Sequence, residues 1–570
     1  MSSSMETFRS LPATRIGRRA LLGSAAGVAA AGFLAGCGGS GSSTAGDVNE
    51  KTTLKLPTHV APPEVEGGLV SKVAGMPPTY TSYPKTYSTT VPAPPGSGDE
   101  VTSFQILWGA PPNPLDKNVY WQQLNKNLNI KFKPTLVSSD NYNDKMATTV
   151  ASGKVPDLMF VQDTTAVGAQ AISDGVFADL SEVLAGDKVL EWKNLSNIGT
   201  ATWKASAKNG HIYGIPNENP YLSNFPVIRA DAMEAAGYHE VPKNADELKQ
   251  MLTDMAKLGK VSGKKFWVVA GLSAGIQNMV QWMFRAGTGW QLDGEKLINV
   301  IETDAYQQSL QYLNELWKAG VFHPDALSLG TQAAKISSMF KGGQVGIHVD
   351  STNGFFGAGL LRDLVKNTDG ARPSFLVPPG HDGGKIVIAR DAGYWGIVAI
   401  SAEAAKDEKR LKELLGVCNY WRGPWGSKEQ LFINSGVEGS NFKLKSDGDM
   451  VPMNNETADA DRAGIQWLGC FNSPTVRIAT SDKQFAQNYQ TNVEKLTAAT
   501  VPDPTVGLYS ETSVSKSAHL AEITENYVNG IVSGRNPLSD LEKFRSEWKS
   551  AGGDKIRSEY TEAMNSSGSK

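Results

Sequence analysis

VTSFQILWG, at residues 101–109, opens a stretch in which extended and helical patterns alternate, and this alternation decides the fold class. The stretch continues with a helical pattern at 116–128, a strand candidate at 130–137 and a second helical pattern at 141–153. It ends in PDLMFV, residues 156–161, an almost wholly apolar run of the kind that is buried in a parallel sheet. Three strands with helices between them predict a doubly wound α/β lobe.

A second set of the same patterns follows from about residue 221. Asn244 and Glu247 have the spacing of a capping box, and the next residues carry an apolar helical face. FWVVAG at 266–271, QVGIHV at 344–349 and YWGIVAI at 394–400 are further strand candidates. The chain has 570 residues, which is long enough for two sizeable cores, so we expect two α/β lobes.

Charge and cysteine content narrow the classes of function. The formal net charge is -3 and no basic run is interleaved with aromatic residues, so nucleic acid is not a predicted partner. Cys418 has helical spacing to nearby leucines, which favours a small buried side chain, but a bridge between Cys418 and Cys470 stays open. The seven histidines form no HExxH motif and there is no DxDxDG loop, so neither a metal nor a cofactor is predicted.

The N-terminus has the pattern of an export leader. RIGRRALLGSAAGVAAAGFLAGC, residues 15–37, joins a basic region to an apolar run that is too short and too rich in glycine to remain as a membrane span. Arg18 and Arg19 resemble a twin-arginine signal, although Sec export stays open. Leu34-Ala35-Gly36-Cys37 resembles the lipobox of bacterial lipoproteins. We therefore predict a signal peptide over 1–36, lipidation of Cys37, and anchoring on the extracytoplasmic face of the cell membrane.

Residues 37–100 are rich in Gly, Ser, Thr and Pro, and they show no apolar period. This composition predicts a flexible tether followed by a stiffer proline-rich spacer that lifts the folded body off the membrane.

Seven segments, in this order along the chain, resemble one family. The segments lie at 156–161, 213–221, 227–252, 304–327, 339–351, 434–450 and 534–565. They are similar to the extracellular solute-binding proteins of carbohydrate ABC importers, in particular the long LplA-like lipoprotein branch. The resemblance implies a type II periplasmic-binding-protein fold, with two doubly wound lobes joined by a hinge and the ligand in the cleft between them. Mapped onto this chain, lobe 1 would hold 101–219 and about 394–425, and lobe 2 would hold 220–393 and about 426–570.

Candidate ligand contacts follow from the chemistry of sugars, which present apolar C–H faces and a rim of hydroxyl groups. A sugar site therefore needs aromatic plates together with carboxylates and amides. In an open α/β sheet such groups lie after the carboxyl ends of strands and at the crossover between lobes. The candidates are Trp108, Gln162, Asp163, Asn217, Glu218, Trp282, Asp350, Asn353, Tyr394 and Trp395.

Several of these candidates have a structural alternative. Trp108 fits plain core packing, and Trp282 fits the apolar face of a helix. Asn217 and Glu218 fit a hinge cap, and Glu438 in a Gly-x-Glu-Gly turn suits a structural role as well as a functional one.

The predicted function is the substrate-binding component of an ABC importer. The protein would be a monomer that closes on a sugar or oligosaccharide, delivers it to the permease and carries no catalytic residue. One alternative is a lipid-anchored glycan-degrading enzyme, although the pair of carboxylates that glycosidases use does not stand out. Another is a receptor for peptide or another polar solute, because one fold serves many ligands.

Overall fold

The structure is a computed structural model that describes residues 54–108, 111–273, 275–287, 289–330, 332–357, 359–445, 450–453, 461–462, 464–465, 467–469, 476–477 and 483–567. The chain divides into two compact units, Met1–Lys51 and Thr52–Lys570, and the described residues all belong to the second unit. The predicted leader with Arg18 and Arg19, the predicted lipidation site Cys37, and Cys470 lie outside the described residues. Among those that are described, no helix combines the length and the apolar character that a bilayer-spanning helix needs.

Two main sheets organise the described residues. Their strands are β1 (Glu100–Leu107), β2 (Lys131–Ser138), β3 (Leu158–Val161), β4 (Ile215–Glu218), β5 (Asn224–Arg229), β6 (Trp267–Val269), β7 (Val345–Ser351), β8 (Pro373–Phe375) and β9 (Tyr394–Ile400). Sheet A has the order β2-β1-β3-β9-β4, and sheet B has the order β6-β7-β5-β8. Because β9 inserts between β3 and β4, the chain returns to sheet A after it has built sheet B.

Shorter strands flank the two sheets. They are Gly68–Leu69, Thr79–Tyr80, Lys260–Val261, Lys264–Lys265, Trp290–Asp293, Lys296–Asn299, Ile388–Ala389, Phe442–Leu444, Met450–Pro452, Val476–Arg477 and Thr500–Val501.

Lobe 1 is sheet A with the helices that pack on it. These helices are Val119–Leu128, Tyr142–Ala151, Ala166–Ser173, Ser181–Leu184, Thr200–Ser206, Glu408–Trp421 and Lys428–Ser435. Every residue of β3 is completely buried, which confirms the strand predicted from PDLMFV. Cys418 is buried in the same core with a free thiol, and burial raises its pKa to about 12. The prediction of a small buried side chain is therefore confirmed.

Lobe 2 is sheet B with its own hydrophobic core. Its helices are Ala230–Ala235, Ala245–Lys257, Ile276–Met283, Asp304–Lys318, Ala326–Leu329, Ala333–Lys341, Leu360–Asn367, Lys483–Ala498, Glu511–Val532, Asp540–Trp548 and Asp554–Ser567. The predicted start of the second of these is confirmed, because the Asn244 side chain accepts the backbone N–H of Glu247 at 2.9 Å. The carboxylate of Glu247 accepts the N–H of Lys243 at 3.1 Å, so the reciprocal half of the capping box is displaced by one residue.

The helix Lys428–Ser435 corrects one expectation about the lobes. Everything after about residue 426 was expected in lobe 2, yet Phe432 and Ile433 are buried in the core of lobe 1. The reason is a stacked pair, in which the ring centroids of Phe432 and Tyr120 lie 4.9 Å apart.

The proline-rich spacer is a second correction. Residues 54–99, which we call the strap, lie against both lobes instead of standing clear of them. Leu54, Leu56 and Val91 pack against the core of lobe 1, and Met76 is buried in the core of lobe 2. The apolar residues of the strap are irregularly spaced because an extended segment buries side chains wherever it meets a surface. For that reason the sequence shows no period.

Candidate functional site

Several predicted residues meet at one edge of sheet A. Strands β1 and β3 run parallel, whereas β9 runs antiparallel to both β3 and β4. Ile397 pairs with Val161, and Tyr394 pairs with Glu218, so the start of β9 lies beside the ends of β3 and β4. Trp108 follows β1 at the same edge. This edge is the one that ligands occupy in open α/β sheets.

Sheet B presents the corresponding edge to the same crossover. Strands β6 and β7 run parallel, and β5 pairs antiparallel with β7, with Asn224 opposite Ser351. Residues 219–223 connect the end of β4 directly to the start of β5. The two edges are therefore neighbours, and the space that they border is the candidate ligand cleft.

An aromatic cluster forms the lobe 1 side of this cleft. Trp395 lies at its centre, with ring centroids 6.4 Å from Trp108, 4.3 Å from Trp467 and 5.2 Å from Phe160. Trp108 is 56% exposed, whereas Trp395 and Trp467 are half-buried. We call Trp108, Trp395 and Trp467 the aromatic wall. Because its outer ring is open to solvent and its inner rings are braced by Phe160, the wall offers a rigid apolar face for a planar or ring-shaped ligand.

Trp467 was not among the predicted residues, and two buried side chains hold its backbone. Asn217 donates from Nδ2 to the carbonyl oxygen of Trp467 at 2.7 Å. Arg422 donates from Nη1 to the carbonyl oxygen of Leu468 at 2.7 Å and from Nη2 to Oδ1 of Asn217 at 2.8 Å. Asn217 is 2% exposed and Arg422 is 8% exposed. The structure therefore gives Asn217 a role in holding the aromatic wall, where the sequence analysis proposed a ligand contact.

Asp163 takes part in a buried ionic network. Its Oδ2 accepts a hydrogen bond from the Tyr394 hydroxyl at 2.7 Å and lies 2.8 Å from Nζ of Lys208. Asp163 is 2% exposed, and Tyr394 is 8% exposed. Burial, together with the Asp163 charge, raises the pKa of Tyr394 well above its usual value, so the hydroxyl remains a donor. These two predicted residues thus bind each other and Lys208, which the sequence analysis did not identify.

Gln162 and Glu218 border this network. The Gln162 backbone carbonyl accepts both the N–H of Thr165, at 3.0 Å, and its hydroxyl, at 2.8 Å, so it forms the turn before the next helix. Glu218 accepts the backbone N–H of Gly199 at 3.3 Å. Burial raises the pKa of Glu218 from its ordinary value of 4.5 to about 7, although that hydrogen bond and the charge of Arg422 both lower it.

Glu218 makes protein stability depend on pH. Its folded-state pKa is raised, so its contribution to stability is complete below about pH 4.5 and is lost as the pH rises through about 7. We expect Glu218→Gln to flatten this dependence. As the pH rises from 5 to 8, the free energy of unfolding of the wild type should fall by about 2 kcal/mol more than that of the variant. Urea unfolding of both proteins across that range measures the difference, and parallel curves would contradict the assignment.

The lobe 2 edge carries fewer of the predicted groups. Asp350 accepts the N–H of Ser351 at Oδ1, at 2.7 Å, and its Oδ2 lies 3.3 Å from Nε2 of the buried His348. Asn353 is half-buried and begins the turn Asn353–Gly357. Trp282 is 6% exposed and belongs to the lobe 2 core. Trp282 therefore packs in the core, which is the structural alternative given for it, because the apolar face of its helix is turned towards the sheet.

A motif at this edge was missed in the reading of the sequence. Residues 271–275 read Gly-Leu-Ser-Ala-Gly, which is the G-x-S-x-G pattern of serine hydrolases, between β6 and the helix Ile276–Met283. Ser273 is exposed at the carboxyl end of β6. No histidine among the described residues bonds to its hydroxyl, so the described part of the chain does not assemble a catalytic triad there. Ser273 is a further polar group at the cleft edge.

Two other features complete the site. Glu438 is exposed in its turn, in which its backbone bridges to Phe442. Within the described residues, no group of three or more His, Cys, Asp or Glu side chains is placed to hold a metal ion.

The chain is similar to known proteins along most of its length. The model of the bacterial extracellular solute-binding proteins matches residues 120–424, which is more than half of the chain. The chain is 24% identical over 490 residues to the lipoprotein LipO of Bacillus subtilis (strain 168), covering 83% of this chain and 93% of LipO. It is 24% identical over 488 residues to the polygalacturonan/rhamnogalacturonan-binding protein YtcQ of the same organism, covering 82% and 92% of the two chains.

Solved structures share the fold. The alginate-binding protein AlgQ2, solved without calcium ion, superposes with a TM-score of 0.60 at 14% identity and covers 84% of this chain and 100% of its own. The ABC-transporter substrate-binding protein FusA of S. pneumoniae, solved with kestose, gives 0.59 at 16% identity, covering 81% and 98%. The two-lobed α/β architecture is thus the type II periplasmic-binding-protein fold that was predicted. Because the family model matches more than half of the chain, this chain belongs to the bacterial extracellular solute-binding proteins.

Proposed function

We propose that this protein binds a sugar or oligosaccharide in the cleft between its lobes and delivers it to the permease of an ABC importer. The aromatic wall is the observation that carries the proposal. Three tryptophans at one sheet edge offer apolar faces to the C–H faces of sugar rings. The named ligands of two similar proteins, polygalacturonan or rhamnogalacturonan for YtcQ and kestose for FusA, support the same class.

Polar groups at both edges would complete such a site. Glu218 is half-buried on lobe 1, and Asp350, Asn353 and Ser273 lie at the lobe 2 edge. A sugar held by the aromatic wall on one side and by these groups on the other gains its full set of contacts only when the lobes approach. Ligand therefore favours the closed form by its differential affinity for the two forms.

We also propose that the protein works outside the cytoplasm as a lipid-anchored monomer. The leader over 1–36 and the lipobox ending at Cys37 support this, and residues 38–53 would connect the lipid to the strap. Two or more acyl chains on Cys37 give a stable anchor, because each buried methylene contributes about 0.8 kcal/mol. Labelled palmitate should enter the wild-type protein and not Cys37→Ser. Equal labelling would contradict the anchor.

A thermal-shift screen tests the proposed ligand class. The full chain would be heated with galacturonan and rhamnogalacturonan fragments, kestose, alginate oligosaccharides and simple monosaccharides. A ligand that binds only the native state at a hundred times its Kd stabilises that state by about 2.7 kcal/mol, so at least one sugar class should raise the Tm. No shift with any sugar, together with a shift by peptides, would assign a receptor for another polar solute.

The enzyme alternative is tested on the same sugars. The family and the similar solved structures are described as binding proteins, and we expect every sugar to be recovered intact after incubation. Mass spectrometry would detect shortened chains or lost acyl groups. If a product appears in wild type and disappears in Ser273→Ala, the protein is a hydrolase that uses the G-x-S-x-G serine, and the binding-protein proposal fails.

A further inference from the structure

The strap crosses from lobe 1 to lobe 2 and back before β1 begins. Its first part binds lobe 1 through backbone hydrogen bonds. The Thr58 N–H donates to the carbonyl oxygen of Gly186 at 3.1 Å, and the Val60 N–H donates to that of Ser196 at 2.8 Å. Thr58 adds a side-chain hydrogen bond to Asp187 at 2.6 Å. This segment is therefore held against lobe 1 by its backbone and by one side chain.

The middle of the strap is anchored in lobe 2. The Ser71 hydroxyl donates to Oε1 of Glu494 at 2.7 Å. Met76 is 7% exposed inside the lobe 2 core, where the Thr497 hydroxyl lies 3.7 Å from its sulfur. Both partners belong to the helix Lys483–Ala498, so the strap is bound to lobe 2 by one polar and one apolar contact.

The last part of the strap returns to lobe 1. The ring of Tyr83 stacks on Trp425 with centroids 5.6 Å apart. Oε1 of Glu429 accepts the backbone N–H groups of Thr90 and Val91 at 3.0 and 2.9 Å. Glu429 lies in the helix Lys428–Ser435, which belongs to lobe 1. The strap therefore crosses between the lobes twice, in addition to the crossings that the chain makes after residue 99.

The turn in the middle of the strap packs against the crossover that joins the lobes. Gly75 has φ +78°, and a β-carbon on it would lie 1.9 Å from Cδ2 of Tyr221. Tyr221 lies within residues 219–223, between β4 and β5. Only glycine fits a left-handed position that is also this close to an aromatic ring.

We propose that the strap is a mechanical restraint on the hinge, which limits how far the lobes open in the absence of ligand. Opening by rotation about the crossover moves the strap's lobe 2 anchor away from its two lobe 1 attachments. A segment that is bound at both ends resists that movement once it is taut. The restraint raises the fraction of molecules near the closed form, and ligand binding then needs less reorganisation.

Distance measurements between the lobes test the restraint directly. Spin labels would be placed through Lys145→Cys on lobe 1 and Lys257→Cys on lobe 2, both at exposed helical positions. The full-length chain would lack Cys37 and Cys470, while the buried Cys418 stays unlabelled. We expect the double variant Ser71→Ala/Met76→Ala to broaden the ligand-free distance distribution and to move it towards longer distances.

Two further variants separate the restraint from a folding defect. A variant with about six Gly/Ser residues inserted after the exposed Val70 and again after the half-buried Pro78 keeps every anchor and adds slack at both crossings, so it should widen the distribution as the double variant does. Thr58→Val removes a strap contact within lobe 1 only and should leave the distribution unchanged. If neither the insertion nor the double variant changes the distance distribution from that of the wild type, the proposal is wrong. Because the measurement needs no ligand, this failure is distinct from failure of the proposed sugar specificity.

Discussion

Replacing Trp395 with alanine is expected to raise the Kd for the sugar ligand roughly thirtyfold, which corresponds to a loss of about 2 kcal/mol of binding free energy. Trp395 contacts both Trp108 and Trp467, so its removal takes away the centre of the aromatic wall and the ring that joins the other two. Trp395→Phe keeps a smaller plate and should lose less. Isothermal titration with the sugar found by thermal-shift screening measures both effects.

Trp267 provides the matched control for this prediction. It is a half-buried tryptophan of β6 that pairs with Val345, at the end of sheet B opposite the cleft. Trp267→Ala should leave the Kd within about twofold of wild type, because the substitution removes a similar ring far from the ligand. Equal losses in the two variants would show that the effect is on folding, and an unchanged Kd in Trp395→Ala would exclude the aromatic wall as the binding surface.

Arg422→Met is expected to lower both stability and ligand affinity. The substitution leaves Oδ1 of Asn217 and the carbonyl oxygen of Leu468 without their guanidinium donor. Unsatisfied buried acceptors of this kind cost about 2–4 kcal/mol in the free energy of unfolding. Because the same hydrogen bonds hold the segment that carries Trp467, we also expect at least a fivefold rise in the Kd for sugar.

The two effects of Arg422→Met are separated by Arg410→Met. Arg410 is 18% exposed and pairs with Asp157 at 3.0 Å and with Glu413 at 2.7 Å, in the same lobe. Its loss should lower stability and leave the Kd unchanged. Fluorine NMR on protein labelled with fluorotryptophan adds a direct readout, with Trp467→Phe assigning the resonance. In Arg422→Met that resonance and those of its aromatic neighbours should shift, besides the resonance of the adjacent Trp421. An unmoved Trp467 signal would contradict a positioning role.

The strands and helices that were predicted correctly are those with strong local patterns. Leu158–Val161 of PDLMFV is buried as β3 because four consecutive apolar residues leave the strand no solvent-facing side. The helix Ala245–Lys257 was predictable because Leu248, Met251, Leu252 and Met255 recur at helical spacing, and all four are completely buried. In both cases the information lies within about a dozen consecutive residues.

The residues that were missed depend on contacts between distant parts of the chain. Asn217 and Trp467 are 250 positions apart, and Lys208 and Tyr394 are 186 positions apart. No spacing rule connects such pairs. The strap was misjudged for the same reason, since its composition is that of a free linker and only the surfaces of the two lobes give its scattered apolar residues somewhere to pack.

By itself, the sequence determined the α/β class, the strand ends at which the cleft forms and the resemblance to solute-binding proteins, because periodicity and motif order are local properties of the chain. Only the tertiary structure decided which polar residues face the cleft and which face each other. Asp163 and Asn217 stand at strand ends, as the pattern indicated, yet both side chains are buried against partners from remote segments. A strand end sets where a side chain lies along the sheet, whereas its direction depends on which distant charge or amide the fold brings within hydrogen-bonding distance.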